Sequence, residues 1–464
     1  MMMKKILLTL TISIISVVAF SQEREHNYTK ADIPEGFVPD TRIDNMGYWR
    51  RLADLEIVPR QARVFVAPPV YRGSEIKARS VKTTNSPDVP VTVETSTQSE
   101  NSIFAHPNDP ETILNSNNST TNPVSGVLGS NAFYSFDGAL TWGGSIQGAG
   151  GTNQGDPAAA IGMNGYYYAG QIKNSGQAVA WSDDEGATWT TVQVANAAGG
   201  FNDLLDKNHL WIDNSLTSPH NGNLYDAWTA FGGSNDNEIE ISYSADNGQT
   251  WIGPVNISSA VNAGSHNQGV NISTGPQGQV YAAWTIYDSW PQDENAIGFA
   301  RSMDGGQTYE PAFRIIENIR GIRNTETSKN MRVNSFPCMA VDISSGPRSG
   351  WIYVVWSNIG VPGENNGPDI DVYMIRSQDG GSTWTSPKRV NQDEMNQGHE
   401  HYMPWITCDP ASGALSVVFY DDRNVGGSSV EVFCANSYDG GDTWEDFAVS
   451  DIAFTPAPIP GLAS

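Results

Sequence analysis

From residue 91 onward the chain alternates short apolar runs with glycine-rich polar turns, the pattern of half-buried strands rather than of helices. One kind of run opens on glycine and closes on an aromatic, at 222–228, 278–284, 350–356 and 413–419. Another kind precedes it, as at 336–342 and 403–409. Each pair is followed by a polar motif, Ser-x-Asp-x-Gly-x-Thr-Trp, seen at 182–189, 244–251, 377–384 and 437–444. Two further copies vary it: Tyr309 replaces the tryptophan after Ser302, and Ala139 replaces the glycine after Ser135. Successive motif serines are 47, 62, 58, 75 and 60 residues apart, so one supersecondary unit repeats with loop insertions. The unit reads strand, strand, variable loop, strand, motif turn, strand. Six such units predict an all-β, six-bladed β-propeller of four-stranded antiparallel blades over residues 91–464.

The motif residues suit a hairpin staple. A short carboxylate accepts backbone N–H groups within its own turn, glycine supplies a positive φ, and the aromatic packs back on the neighbouring strand. Asp137, Asp184, Asp246, Asp304, Asp379 and Asp439 are therefore structural residues. Ahead of the repeats, Lys4 and Lys5 precede an apolar run at 6–20 that ends in Ala19-Phe20-Ser21, the pattern of a secretory signal peptide (1–21) cleaved before Gln22. The run is too short for a stable membrane span, which predicts an exported protein, secreted or at the cell surface, with no membrane insertion after cleavage. Residues 22–90 read as a Pro-interrupted arm or linker with one helix at 45–57, whose Tyr48, Trp49, Leu52 and Leu55 share a face.

Charge sharpens this division. The chain has 51 acidic and 26 basic residues, a net charge of −25, which argues against nucleic-acid partners. Residues 22–90 hold 11 basic against 10 acidic side chains, and residues 91–464 hold 13 against 41, so the acidity belongs to the repeats. The three cysteines, Cys338, Cys408 and Cys434, lie in strand-like runs and read as small buried hydrophobes, with one disulfide as the alternative.

The six motif copies resemble the Asp-box, or bacterial neuraminidase repeat, of sialidase-type β-propellers, over about four-fifths of the chain. The resemblance implies an exo-glycosidase of sialidase type acting on a glycan or glycoprotein as a monomer. Such an enzyme needs three arginines on the sugar carboxylate, a tyrosine nucleophile with a glutamate, and an aspartate as acid. Motif turns occupy one face of a propeller, so the functional mouth is expected on the opposite face, where inner strands begin. Positions there give Arg332 and Arg423 as clamp residues, Tyr402 or Tyr420 with Glu400 as nucleophile and activator, and Asp156 or Asp288 as acid. His209, Trp228, Gln268, Tyr287, His399, His401 and Asp421 are expected to line a substrate site, and Asp206, Lys207 and His266 fall on the same rim.

The sequence departs from the sialidase pattern. No arginine lies between Arg79 and Arg301, so the first three blades supply no clamp, and Arg320 or Arg323 must be recruited from an insertion. Two readings stay open: a sialidase-type enzyme of altered specificity, or a non-catalytic glycan- or protein-binding propeller. No cofactor is expected and no metal ligand is assigned. Calcium is an alternative at the acidic loops 293–295 and 364–371, whose spacing matches no defined calcium loop. Similar exported propellers often continue into further strands, so the end at Ser464 suits a truncated product with an open ring, or a ring closed by the N-terminal arm.

Overall fold

The computed structural model describes residues 28–65, 77–78, 84–124, 127–261, 266–323, 327–329 and 333–456. It is a six-bladed β-propeller, each blade a four-stranded antiparallel sheet with its first strand innermost. The inner strands of blades one to six are Gln98–His106, Ala158–Ile161, Leu204–Ile212, His266–Thr274, Cys338–Val341 and His401–Cys408. Blade one carries an extra strand, Val127–Ser130, paired with its second strand Asp109–Thr120.

All six motif turns form in the same way. In blade six the Asp439 Oδ1 accepts the Ser437 hydroxyl at 2.8 Å and the Thr443 N–H at 2.9 Å, while Oδ2 accepts the Thr443 hydroxyl at 2.6 Å. Asp137, Asp184, Asp246, Asp304 and Asp379 make the same three contacts. Hydrogen bonds from the Thr383 hydroxyl and N–H bring the Asp379 carboxyl down to about 2. Each turn therefore keeps its aspartate ionised and its own N–H groups satisfied.

Neighbouring blades are joined by buried apolar seams. Leu114, Ile161 and Tyr167 seal blades one and two, and Tyr168, Leu210 and Leu224 seal two and three. Tyr225, Ile272 and Trp284 follow between three and four, then Tyr281, Phe299 and Trp356, then Tyr353, Ile406 and Phe433. Among the described residues no such cluster joins blade six to blade one.

The N-terminal arm lies on the face opposite the motif turns. Its helix α1 (Met46–Asp54) starts where the Asn45 side chain accepts the Tyr48 N–H at 3.1 Å. Tyr48, Leu52 and Leu55 pack with Ile43 against Ile172, Phe201, Leu204 and Phe231 of blades two and three. Full burial of a side chain such as Leu52 contributes about 2 kcal/mol, so the arm is an integral layer over those blades. At the other end of the chain, the Asp88 and Asp451 side chains each accept the other's backbone N–H at 2.9 Å, tying the arm to the outer edge of blade six. All three cysteines are free, Cys338 and Cys434 being buried. No helix among the described residues is long and apolar enough to cross a membrane.

Candidate functional site

Four inner strands carry the same irregularity near their first residues, on the face opposite the motif turns. The pairing register slips between Ser99 and Ser102, between Asp206 and His209, between Gln268 and Asn271, and between Tyr402 and Trp405. Within these bulges Glu100, Lys207, Gly269 and Met403 have φ of 55°, 54°, 72° and 56°. Blade two has its counterpart at Asp156, φ 59°, just before its inner strand. Blade four needs glycine there, because a Cβ on residue 269 would lie 2.2 Å from the Phe336 ring. Left-handed backbone at a non-glycine residue costs about 1–3 kcal/mol, and its recurrence around one channel marks a mouth whose side chains are aimed by the fold.

Two carboxyl groups meet in this ring. Asp156 and Asp206 are buried and hydrogen-bonded to each other; Asp156 Oδ2 also accepts the Lys207 N–H at 2.9 Å, and the Asp156 N–H donates to Asn118 Oδ1 at 2.9 Å. No N–H or hydroxyl donor reaches Asp206 Oδ2 among the described residues, as expected when the two carboxyls share a proton. Burial and the charge of Glu100 push Asp156 up to about 6, and burial with the charges of Asp156 and Asp44 pushes Asp206 well above the carboxylate range. Glu100 faces Lys207 at 3.6 Å, and both side chains are about one-third exposed, so this edge of the cluster is open to solvent.

The tyrosines behave differently. Tyr402 is fully buried, its hydroxyl has no hydrogen-bond partner among the described residues, and burial with the charges of Glu400 and Asp422 pushes its pKa up. Its ring meets Tyr420 edge-on at 6.0 Å. Glu400 Oε1 accepts the Ser328 N–H at 2.8 Å, and Asp422 pairs with the buried Lys329 at 2.7 Å. A raised phenol is a poor nucleophile, so these surroundings favour a structural Tyr402. Tyr287 donates to Glu294 at 3.0 Å and stacks on His266 at 4.2 Å, and burial together with the Glu294 charge also holds it above the ordinary phenol value. Glu294 accepts three further N–H groups, from Ile322, Arg323 and Ser335, so it anchors the loop after blade four.

Arg423, His399, His401 and Asp421 come together between blades five and six. Arg423 reaches Asp421 at 2.6 Å and Asp446 at 2.7 Å and lies 4.3 Å over the Phe433 ring. His401 donates to the Ile370 carbonyl at 2.8 Å and faces Asp421 at 3.3 Å. Burial disfavours the imidazolium, but the Asp421 hydrogen bond and charge and the Asp393 charge outweigh it and raise the His401 pKa. His399 contacts Asp393 at 3.0 Å, and Arg389 lies 3.4 Å from both Asp371 and Asp393. Asp371, Asp393 and His401 hold their ligand atoms within 4.8 Å of one another, but Arg389 and Arg423 already match these charges. The acidic loops are likewise engaged: Asp369 accepts backbone N–H groups of Asn396 and Gly398, and Glu294 is buried.

The remaining candidates scatter. Trp228 is fully buried and donates to Glu240 at 2.9 Å, so it offers no face to a sugar. Gln268 lies under the arm, its amide 3.5 Å from the Arg42 carbonyl. His209 accepts the Ile272 N–H at 3.1 Å, burial takes its pKa down to about 3, and its neutral ring lies 5.8 Å from Trp405. Asp288 pairs with Arg314 on the surface, and the hydrogen bond from that guanidinium lowers its pKa, the opposite of what an acid needs. Arg332 lies outside the described residues. Arg320 and Arg323 are engaged by the Asn365 carbonyl at 3.3 Å and by Asp44 at 2.8 Å. The clamp therefore does not assemble among the described arginines. Sequence reading missed Glu100 because blade one was located only by its turn, and missed Asp44 because nothing local places an arm residue over a distant blade.

No family model matches the chain, and no curated protein is detectably similar to it. Solved structures with a similar fold include a protein of unknown function from Dyadobacter fermentans, 12% identical, covering 82% of this chain and 99% of that one, with a TM-score of 0.43. An ulvan lyase bound to a glucuronate–sulfated rhamnose unit is 11% identical, covering 86% and 88%, with a TM-score of 0.48. The intramolecular trans-sialidase from Ruminococcus gnavus is 12% identical, covering 70% and 90%, with a TM-score of 0.44.

Proposed function

We propose that the protein is an exported glycan-cleaving propeller of sialidase-like architecture and altered specificity, with Asp156 and Asp206 as a shared proton source and Glu100 as the second carboxyl group. The observation carrying this is the Asp156–Asp206 pair, set in a ring of left-handed bulges beside the Glu100–Lys207 ion pair. Glycosidic cleavage needs one protonated carboxyl to give its proton to the leaving oxygen and one carboxylate to take a proton from water. As the C–O bond breaks, the water's hydroxyl joins the sugar carbon, and solvent returns the proton from Glu100 to the pair. Asp156 and Asp206 are hydrogen-bonded to each other, so they act as one acid and Glu100 fills the second role.

Sialoside specificity finds less support, because Arg423 is committed to Asp421 and Asp446 and Arg323 to Asp44. An uncharged sugar at the cleavage point suits a cluster of three carboxylates and one lysine better. The test is reducing-end release from a panel of neutral and sialylated glycans. Wild type is expected to act on a neutral member, with Asp206→Asn reducing the rate about 10²–10⁴-fold; no turnover on any member sinks the reading. A non-catalytic glycan-binding propeller is the second reading, favoured by the near-complete burial of Asp156 and Asp206. It predicts binding with no difference between wild type and Asp206→Asn.

A further inference from the structure

The arm and the insertions close one side of the mouth. Asn45 reaches the Gln154 carbonyl, Arg42 pairs with Asn237, Thr41 accepts the Trp290 indole at 2.9 Å, and Asp44 holds Arg323, which covers blades two to four and the loop beyond. On the side of blades six and one the described residues form no sixth apolar seam; there the arm bridges Val124 of blade one through Val64 and holds Asp451, beyond the last strand of blade six, through Asp88. Met403, Trp405 and Val418 of blade six are 42%, 44% and 40% exposed, and Ile103 of blade one is 58% exposed.

Cross-strand pairing shows what these two faces carry. In blade six one row runs Trp405–Val418–Cys434–Phe447 and the next Thr407–Ser416–Asn436–Glu445. In blade one the rows run Ile103–Asn115–Phe133 and Ala105–Ile113–Ser135. No charged side chain occurs until Glu445 at the outer edge, in a chain of net charge −25. At the outer end a cavity of about 550 Å³ bridges the blades, lined by Trp142 on one side, Val432 and Phe454 on the other, and Asp88 and Val89 of the arm. At the inner end Trp405 leans on His209, two residues from Lys207, whose N–H holds Asp156.

We infer that this seam is a binding cleft for an uncharged glycan chain, which stacks a sugar face on Trp405 and runs toward Asp156 and Asp206. The inference rests on the glycan-cleaving reading and names its substrate as a neutral polymer lying along the seam. In these rows Cys434, Phe447, Asn115 and Phe133 are buried, while Trp405, Val418 and Ile103 are exposed; the exposed apolar side chains beside hydroxyl and amide groups match the apolar faces and polar rims of sugar rings. Absence of charge in the rows disfavours uronates and sialosides, which would give up hydration with no cation in return. A second copy docked through the same face is the competing occupant.

Calorimetric titration of the Asp206→Asn protein with cellohexaose, xylohexaose, laminarihexaose and arabinohexaose, and with hexagalacturonate for comparison, tests this. At least one neutral hexasaccharide is expected to bind, hexagalacturonate is not, and Trp405→Ala is expected to weaken binding about tenfold or more. Trp405 is half-exposed, so its removal leaves the packed seams intact; Val418→Arg, which fills the cleft from the opposite strand, is the independent variant and has the same expected effect. The inference is overturned if no neutral hexasaccharide binds, if both variants bind as well as their parent, or if light scattering finds a dimer that Trp405→Ala dissociates. Binding by Asp206→Asn with no turnover by wild type rejects the catalytic reading and keeps the cleft; turnover indifferent to Trp405→Ala does the reverse.

Discussion

The propeller buries two clusters of carboxylates, and they differ in how their charge is met. Between blades five and six, Asp371, Asp393, Asp421 and Asp446 are matched by Arg389, Arg423 and His401, whose pKa the carboxylates raise. At the mouth, Lys207 is the cation that the described residues set beside Asp156, while Glu100 and Asp44 add negative charge to the pair. In the first cluster, interactions with cations outweigh burial and hold Asp393 and Asp421 below the usual carboxylate range. In the second, burial wins and holds both carboxyl groups above the usual carboxylate range. The same residue type is thus a strut where cations surround it and a proton store where they do not.

The largest expected effect comes from breaking the first cluster. Arg423→Ala leaves the buried Asp421 and Asp446 without their guanidinium and is expected to cost about 3–5 kcal/mol in denaturant unfolding, a loss below about 1 kcal/mol being incompatible with the network described. Asp206→Asn should invert that pattern, with a large fall in turnover and a stability change within about 1 kcal/mol, because it removes a carboxyl whose burial was already opposed.

Stability as a function of pH separates the clusters by sign. Asp156 is raised in the fold, so the folded protein binds its proton more tightly, and stability from this group falls as pH rises from about 4 through about 6. Asp156→Asn is expected to flatten that stretch. Asp393 and Asp421 are lowered, so their contribution is present above the unfolded carboxylate value of 3.8 and is lost as pH falls below it. His401 is raised, so its contribution is full below 6.5 and is lost as pH rises through its folded value. Unfolding curves of His401→Gln across pH 5 to 9 should lose that alkaline decline while keeping the Asp156 stretch. The smallest effect belongs to a motif turn: Asp439→Ala removes four hydrogen bonds at the surface and should cost about 1–2 kcal/mol with no change in turnover.

The turns were legible because everything they need is local. Ser437, Asp439 and Thr443 lie within seven residues and satisfy one another, so the motif names its own structure wherever it occurs. Strand runs were legible for the same reason: a few consecutive apolar residues between turns mark them, and Leu224–Phe231, Val280–Tyr287 and Ile352–Ile359 are buried at every position. The site was legible only in part. Asp156, Asp206 and Lys207 were placed at the mouth by blade register, yet that register gave equal standing to Arg423, Trp228 and Tyr402, which the fold buries. Position at the start of an inner strand does not say which way a side chain turns once a bulge shifts the pleat by one residue.

What the chain determined by itself, then, is the number of blades, the staples that close their hairpins and the face on which those staples lie. Tertiary structure alone decided that the N-terminal arm covers blades two to four, that among the described residues no apolar cluster joins blades six and one, and which carboxylates find arginines. The physical reason is range: turns and strands are fixed by contacts over a few residues, whereas the charge a buried carboxylate meets comes from other blades, as Lys207 and Asp156 lie 51 residues apart and Arg323 and Asp44 lie 279 apart.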